Sequence, residues 1–377
     1  MRPAGSSWRT AAPRPVPVRP GKSREHHNDV LCFAQQRPRI GVGPLSSTII
    51  ETDPDAVLLP ERIRRFPFPF ANDTYRYSAN VEPATKTAPT EAGSWGAHLV
   101  DIDEHYLDEL SERAKVLERD ASRVNVLPHM RPAVWDALTT LLSSMADDYP
   151  DTMSFHREGN VCRWHNGLQD LDVEFTVGDD SSLPEGPLRF LGSQIQDDII
   201  LLDVRDDTLW LDAGLVTFAA DWSFGFDVGM NFMEIHHPVP RVKEERIISR
   251  AEQFLLRLQP GEQFRRTNWT MTIGRRMDTS TETYPEWGPD RSTIADDPAM
   301  PEKLHLRVEV QHLVRLPHSG ALLFLVRTHL LPLSDIARVP AWREKMGHVL
   351  AELPDDMAEY KGIIRYRKAA SDWLLGR

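Results

Sequence analysis

The stretch "LHLRVEVQHLVRLPHSGALLFLVRTHLLPL" (residues 304–333) limits the possible folds more than any other part of the chain. Leu304, Leu306, Val308, Val310, Val314 and Leu316 alternate with Arg307, Glu309, Gln311 and Arg315. That is the period of a strand with one apolar and one polar face. "PHSG" supplies a turn, and "ALLFLVRTHLLPL" returns. A hairpin this long commits the chain to an antiparallel sheet. Antiparallel sheets often wet one side, so the polar face is expected to meet solvent unless a pocket covers it. His305, His312 and His318 are expected at the surface.

Helices surround this hairpin in the sequence. "DEHYLDELSERAKVLERD" sets Tyr106, Leu107, Leu110, Ala114 and Leu117 at helical spacing, and "PAVWDALTTLLSSMADDYP" does the same with Val134, Ala137, Leu138, Leu141 and Met145. "KEERIISRAEQFLLRL" gathers Ile247, Ile248, Ala251, Phe254, Leu255 and Leu258 on one side. Residues 337–375 read as helical, broken at Pro340 and Pro354. Residues 198–219 read as short strands with turns at Asp206-Asp207 and Ala213-Gly214, and "QFRRTNWTMTIG" as a further strand. Residues 150–186 give little signal. Strands and helices mix without βαβ alternation, which predicts an α+β domain over residues 46–377. Residues 1–45 form a basic, proline- and arginine-rich leader expected to be disordered, with no hydrophobic segment of the kind a secretory signal needs.

Composition narrows the function. The net charge is −12. The leader is basic and the remainder acidic, which disfavours nucleic acid and anionic membrane as main partners. The longest apolar run in the hairpin, "ALLFLV", falls far short of a membrane span. Two cysteines, Cys32 and Cys162, lie far apart, so neither a disulfide framework nor a four-cysteine cluster is available. A reducing, cytoplasmic setting is the natural expectation. The dinucleotide, phosphate-loop, zinc-protease and serine-nucleophile motifs are all missing, so reducing equivalents for any redox chemistry must come from another protein.

The stretch "NFMEIHHPVPRVKEE" (residues 231–245) sets two histidines against a stiff Pro-Val-Pro. Proline pushes the preceding residue out of the α region, and in extended backbone neighbouring side chains diverge. One imidazole is therefore expected inside and the other outside, which disfavours a shared non-haem metal. A single inward imidazole suits a proximal ligand to haem iron, or a core histidine bonded to backbone.

Several segments, taken in order, resemble the haem-binding (alpha) subunit family of haem-dependent oxidative N-demethylases. They are "PFPFANDTYRYSANV", "DEHYLDELSERAKVL", "QDDIILLDVRDDTLWLDAGLVTFAADW" leading to "IHHPVP", "FLLRLQPGEQFRRTNWTM", the hairpin, and a closing "EYKG". The chain departs from the family pattern at Asp227-Val228-Gly229, Val310, His312 and Ala220. The resemblance implies a PAS-like fold, a curved antiparallel sheet with flanking helices and N- and C-terminal helical extensions. It implies haem b held by His236 and oxidative demethylation of a small secondary amine such as dimethylamine, using O2 and releasing formaldehyde. Electrons would come from a separate reductase carrying FMN and a 2Fe-2S cluster.

Under this resemblance, Arg241, Arg266, Asn268, Trp269, Arg307 and Gln311 are the candidate haem contacts. Glu309, Arg327 and His329 are the candidate catalytic groups: Glu309 to hold a protonated amine, Arg327 or His329 to polarise O2. Two other readings share these residues, a non-catalytic haem sensor of gas or redox state and a relative that has lost haem.

Overall fold

The computed structural model describes residues 59–241 and 246–377. The leader and the first residues of the predicted helix at 243–258 therefore lie outside the described residues. The described residues form one compact unit.

A seven-stranded antiparallel sheet organises that unit. Its strands are β1 (Glu82–Pro83), β2 (Val124–Val126), β3 (Asp198–Arg205), β4 (Thr208–Leu215), β5 (Gln263–Ile273), β6 (Leu304–Arg315) and β7 (Leu322–Pro332), in spatial order β1-β5-β6-β7-β3-β4-β2. The predicted hairpin is β6–β7 at the centre. Five longer helices are α1 (Tyr106–Arg119), α2 (Arg131–Asp148), α3 (Ile247–Arg257), α4 (Pro340–Glu352) and α5 (Arg367–Leu375). Residues 150–186 add a separate three-stranded meander, Met153–Glu158, Val161–Asn166 and Leu171–Thr176. The α+β expectation holds. No helix among the described residues is long and apolar enough to cross a membrane.

The expected wet face does not exist. In β6 every residue from Leu304 to Val314 is buried. Cross-strand register fixes which residues share a face. Val308, Val310 and His312 lie opposite His329, Arg327 and Leu325 on β7, and opposite Trp269, Thr267 and Arg265 on β5. Arg307, Glu309 and Gln311 share the other face with Leu330, Thr328 and Val326, and with Thr270, Asn268 and Arg266.

Helix α2 covers the first face at one end, with Ala137, Leu138, Leu141 and Met145 fully buried as predicted, against Ile199, Leu201, Leu323 and Leu325. The C-terminal helices cover its other end, packing Trp342, Met346 and Leu350 on Leu304, Leu306 and Val308. The second face carries Leu313, Leu322 and Val326 against Phe232, Leu255 and Leu258, the last two from the predicted amphipathic segment around α3. His305 and His312 are consequently buried, correcting their expected surface position, while His318 stays exposed in the turn.

Two local expectations also change. The β3–β4 turn at Asp206-Asp207 is present, both residues having positive φ, as a two-residue hairpin demands. Ala213-Gly214, expected as a turn, lies inside β4. There Gly214 admits the Phe224 ring and the Ile199 carbonyl oxygen, which a Cβ would meet at 2.8 and 2.6 Å. Helix α1 forms, but its inward face is Tyr106, Glu109, Arg113 and Val116, with Leu107 exposed. The apolar stripe misjudged the face because α1 inserts charge into a buried ion network.

Candidate functional site

The histidine corner starts with a capping box. The Asn231 side chain accepts from the Glu234 N–H at 3.0 Å, and the Glu234 carboxylate accepts from the Asn231 N–H at 2.9 Å. This starts the helical turn Phe232–Ile235, which ends at His236 with φ −89° and ψ 2°. At His236 the backbone is therefore turned, held by the capping box and by the bond from His237 N to Glu234 O (3.1 Å). The two side chains still diverge: His236 is half-buried and His237 exposed.

The His236 Nδ1 lies 2.7 Å from the Phe232 carbonyl oxygen. A carbonyl can only accept, so Nδ1 carries the proton and Nε2 presents a lone pair. This is the arrangement metal-binding imidazoles use, the second nitrogen fixing tautomer and ring plane. Burial pulls the His236 pKa below its ordinary value, and Arg266 adds to that, so the ring stays neutral. The Phe232 ring packs on it at 4.3 Å between centroids. Phe232 belongs to the apolar cluster on the second sheet face, so the corner packs over that face.

Beneath it lies a buried polar group centred on Glu309. The carboxylate accepts from Asn268 Nδ2 at 3.2 Å and Gln311 Nε2 at 3.0 Å, and Arg307 Nε stands 3.5 Å away. Arg307 is also tied to the carbonyls of Met277 (2.8 Å) and Phe218 and to Thr328 Oγ1. Arg266 donates through Nε to Ala79 O at 3.1 Å, and burial pulls its pKa down against the attraction of Glu309. Lys361 donates to Trp269 O at 2.6 Å and also interacts with Glu309; burial lowers its pKa to about 8.

Three cations thus surround one carboxylate, a surplus of two positive charges. Burying such a surplus is costly unless an anion joins it. Gln311 Oε1 is also buried without a protein partner among the described residues. The two propionates of a haem, with iron facing a neutral imidazole, would fit this set of charges and donors.

Register separates other expected partners. Arg327 and His329 project from the face opposite Glu309, so the three candidate catalytic groups do not converge. Strand periodicity is the reason: residues 309 and 328 pair, which sends 327 and 329 to the other side. Arg327 is committed to Asp103 at 2.5 Å, Glu109 at 2.9 Å and the Thr328 carbonyl at 2.6 Å.

Trp269 likewise faces away from Arg266 and Asn268, and packs edge-on against Phe70 at 4.9 Å. Arg241 makes a two-point ion pair with Asp356, at 3.0 and 2.7 Å, at the surface. Of the expected contacts, the fold brings together His236, Arg266, Asn268, Arg307, Glu309 and Gln311. It does not bring Trp269, Arg327 or His329 to the same face.

Lys361 was missed as a site residue, though it sits in the quoted "EYKG" motif. His129, Asp203 and Asp212 have metal-ligand types within reach of one another, but Arg205 already bridges both carboxylates.

A family model described as haem-dependent oxidative N-demethylase, alpha subunit-like, matches residues 92–371. That span contains the His236 corner, β5, the whole β6–β7 hairpin and Lys361, and covers most of the chain. This protein belongs to that haem-dependent oxidative N-demethylase alpha-subunit-like family.

Proposed function

We propose that this chain binds haem b through His236 Nε2 and oxidatively demethylates a small secondary amine of the dimethylamine kind. The overall reaction consumes O2, two electrons and two protons, and yields formaldehyde, water and the amine with one methyl fewer. When bound, haem supplies the oxidative chemistry, as cofactors generally do. The chain lacks a flavin or iron–sulfur motif, which supports an FMN and 2Fe-2S reductase as electron donor, in a cytoplasmic setting. The sheet and its covering helices correspond, on this reading, to a PAS-like haem domain.

The residues have distinct tasks. Phe232 O holds the His236 ring in one tautomer. Arg266 and Lys361 provide cationic donors for the propionates. The Glu309 carboxylate, held by Asn268 and Gln311, is the acceptor that would attract a protonated amine once the cations are matched. The observation that carries this reading is the neutral, backbone-anchored His236 beside that cationic polar face.

Visible spectroscopy of protein produced with haem, with and without dithionite and CO, tests it. A Soret band is expected in the native chain, lost or strongly shifted in His236→Ala. An unaltered band in that variant defeats the assignment. Formaldehyde release from dimethylamine with a surrogate reductant tests turnover.

A further inference from the structure

On the sheet face turned away from His236, β6 and β7 wall a small chamber. Val310, His312, Arg327 and His329 line it from the sheet, and Asp197 and Trp95 close it. It leaves about 10 Å³ for the centre of a small molecule, near the least room that admits one water. The strap through Trp95 and Gly96 is held by the buried Arg265, which lies opposite His312. Arg265 stacks on the Trp95 ring at 4.4 Å and donates to Gly96 O at 2.7 Å. Gly96 has φ 70°, and a Cβ there would collide with the Arg265 guanidinium.

Apart from His98, whose Nδ1 has Asp148 Oδ1 at 3.2 Å, three side chains lining this chamber carry buried atoms without a protein partner among the described residues. They are both carboxylate oxygens of Asp197, Nδ1 of His312 and Nε of Arg327. Their residues are 0%, 3% and 1% exposed. A buried polar atom left unsatisfied is destabilising, and native proteins satisfy nearly all of them. Arg327 cannot turn away, because Asp103, Glu109 and the Thr328 carbonyl fix its other nitrogens.

The chemistry of the set is specific. Arg327 Nε–H can only donate, ionised Asp197 can only accept, and neutral His312 offers an acceptor at Nδ1 in one tautomer. A metal ion or an ammonium cannot accept from Arg327. A water molecule can accept one bond and donate two.

The charges around the chamber set where a proton rests. Asp197 faces Arg327, Arg113, Asp101 and Asp198, and burial outweighs both guanidiniums to raise its pKa to about 7. Burial, with Arg265 adding to it, lowers His312 to about 4. Burial lowers His329 to about 3, with Arg327, Asp103 and Arg65 nearby. Near neutrality the imidazoles are therefore neutral, and a proton entering the chamber settles on Asp197.

We propose that this chamber is a ligand site in its own right, holding one water molecule that accepts from Arg327 Nε and donates to Asp197 and His312 Nδ1. Together they form a proton-holding unit on the sheet face opposite the proposed haem pocket. The ligand passes a proton to Asp197 and regains one from solvent, so it is unchanged. The proposal stands whether or not the chain turns over an amine.

A crystal structure of the full chain, at a resolution that shows ordered solvent, tests it directly. The expected result is a single solvent-sized peak within hydrogen-bond reach of Asp197, His312 Nδ1 and Arg327 Nε. A chamber without density, or Asp197 turned onto a protein donor, overturns it. Infrared difference spectra between pH 5 and pH 9 give an independent readout. A protonated-carboxyl component that disappears near pH 7 is expected in the native spectra and missing from those of Asp197→Asn; spectra of the two proteins that match across that range overturn the proton-holding assignment.

Discussion

At the scale of single residues, His236 and Arg266 make separable contributions. The imidazole would hold iron, and the guanidinium would hold a propionate through charge-assisted bonds worth about 1.5–3 kcal/mol. Arg266→Ala should therefore weaken haem binding by roughly ten- to a hundredfold while the Soret position stays near native. Haem transfer to apomyoglobin measures this; an unchanged loss rate would remove Arg266 from the site. Glu309→Gln keeps the shape and deletes the charge. It should raise the KM for a cationic amine more than it lowers kcat, which formaldehyde-release kinetics would separate.

The sequence exposed these residues unevenly. The motif order marked His236, Glu309, Gln311 and Asn268, and the fold gathers them. The same motifs could not separate Glu309 from Arg327 and His329, because opposite faces depend on the β6–β7 register, and that is fixed only when the turn closes. Lys361 was beyond any local argument, since it reaches β5 from the far end of the chain.

At the scale of elements, the hairpin and α2 were legible because their apolar period is regular. Helix α1 was legible as a helix but not in its orientation. Its buried face carries Glu109 and Arg113, and Arg113 donates to the carbonyls of Gly192 and Gln196 and to Asp198. Period analysis reads apolar residues, so a helix that buries charge misleads it. The element is correspondingly sensitive. Arg327→Met would remove the ion pairs of Asp103 and Glu109 on that side, leaving Glu109 to Arg275 and Gln196 and Asp103 to Gln196, and should cost about 3–5 kcal/mol. Urea unfolding of Arg327→Met against native protein checks this, and a loss below about 1 kcal/mol would show that the network is solvated. Gly214→Val, which forces a side chain against Ile199 O and Phe224, should cost about 1–3 kcal/mol by the same measurement.

At the scale of the whole molecule, pH reports on the buried acids. Asp197 has a folded pKa near 7, raised by burial above the ordinary 3.8. The folded state therefore keeps a proton that the unfolded chain releases. The contribution is most favourable below the ordinary carboxylate value and is lost as pH rises toward about 7, after which it levels off. Asp103 runs the other way. Arg327 and His329 hold its carboxyl well below the usual range despite burial, so its contribution is present at neutral pH and lost in strong acid. Thermal melts of Asp197→Asn and native protein between pH 5 and pH 8 separate the first effect. The variant should gain on the native chain as pH rises; parallel curves would mean that Asp197 ionises normally.

The β6–β7 ladder has no wet side, and that sets a limit on change. Adding or deleting one residue within either strand would exchange its inward and outward sets, moving Glu309 toward the Trp342 core and Val308 toward the imidazole. Two unlike environments are threaded on the same pair of strands like print on both sides of a page. A lineage can revise either side only by point replacement, and length variation must go to the "PHSG" tip or beyond the sheet's borders.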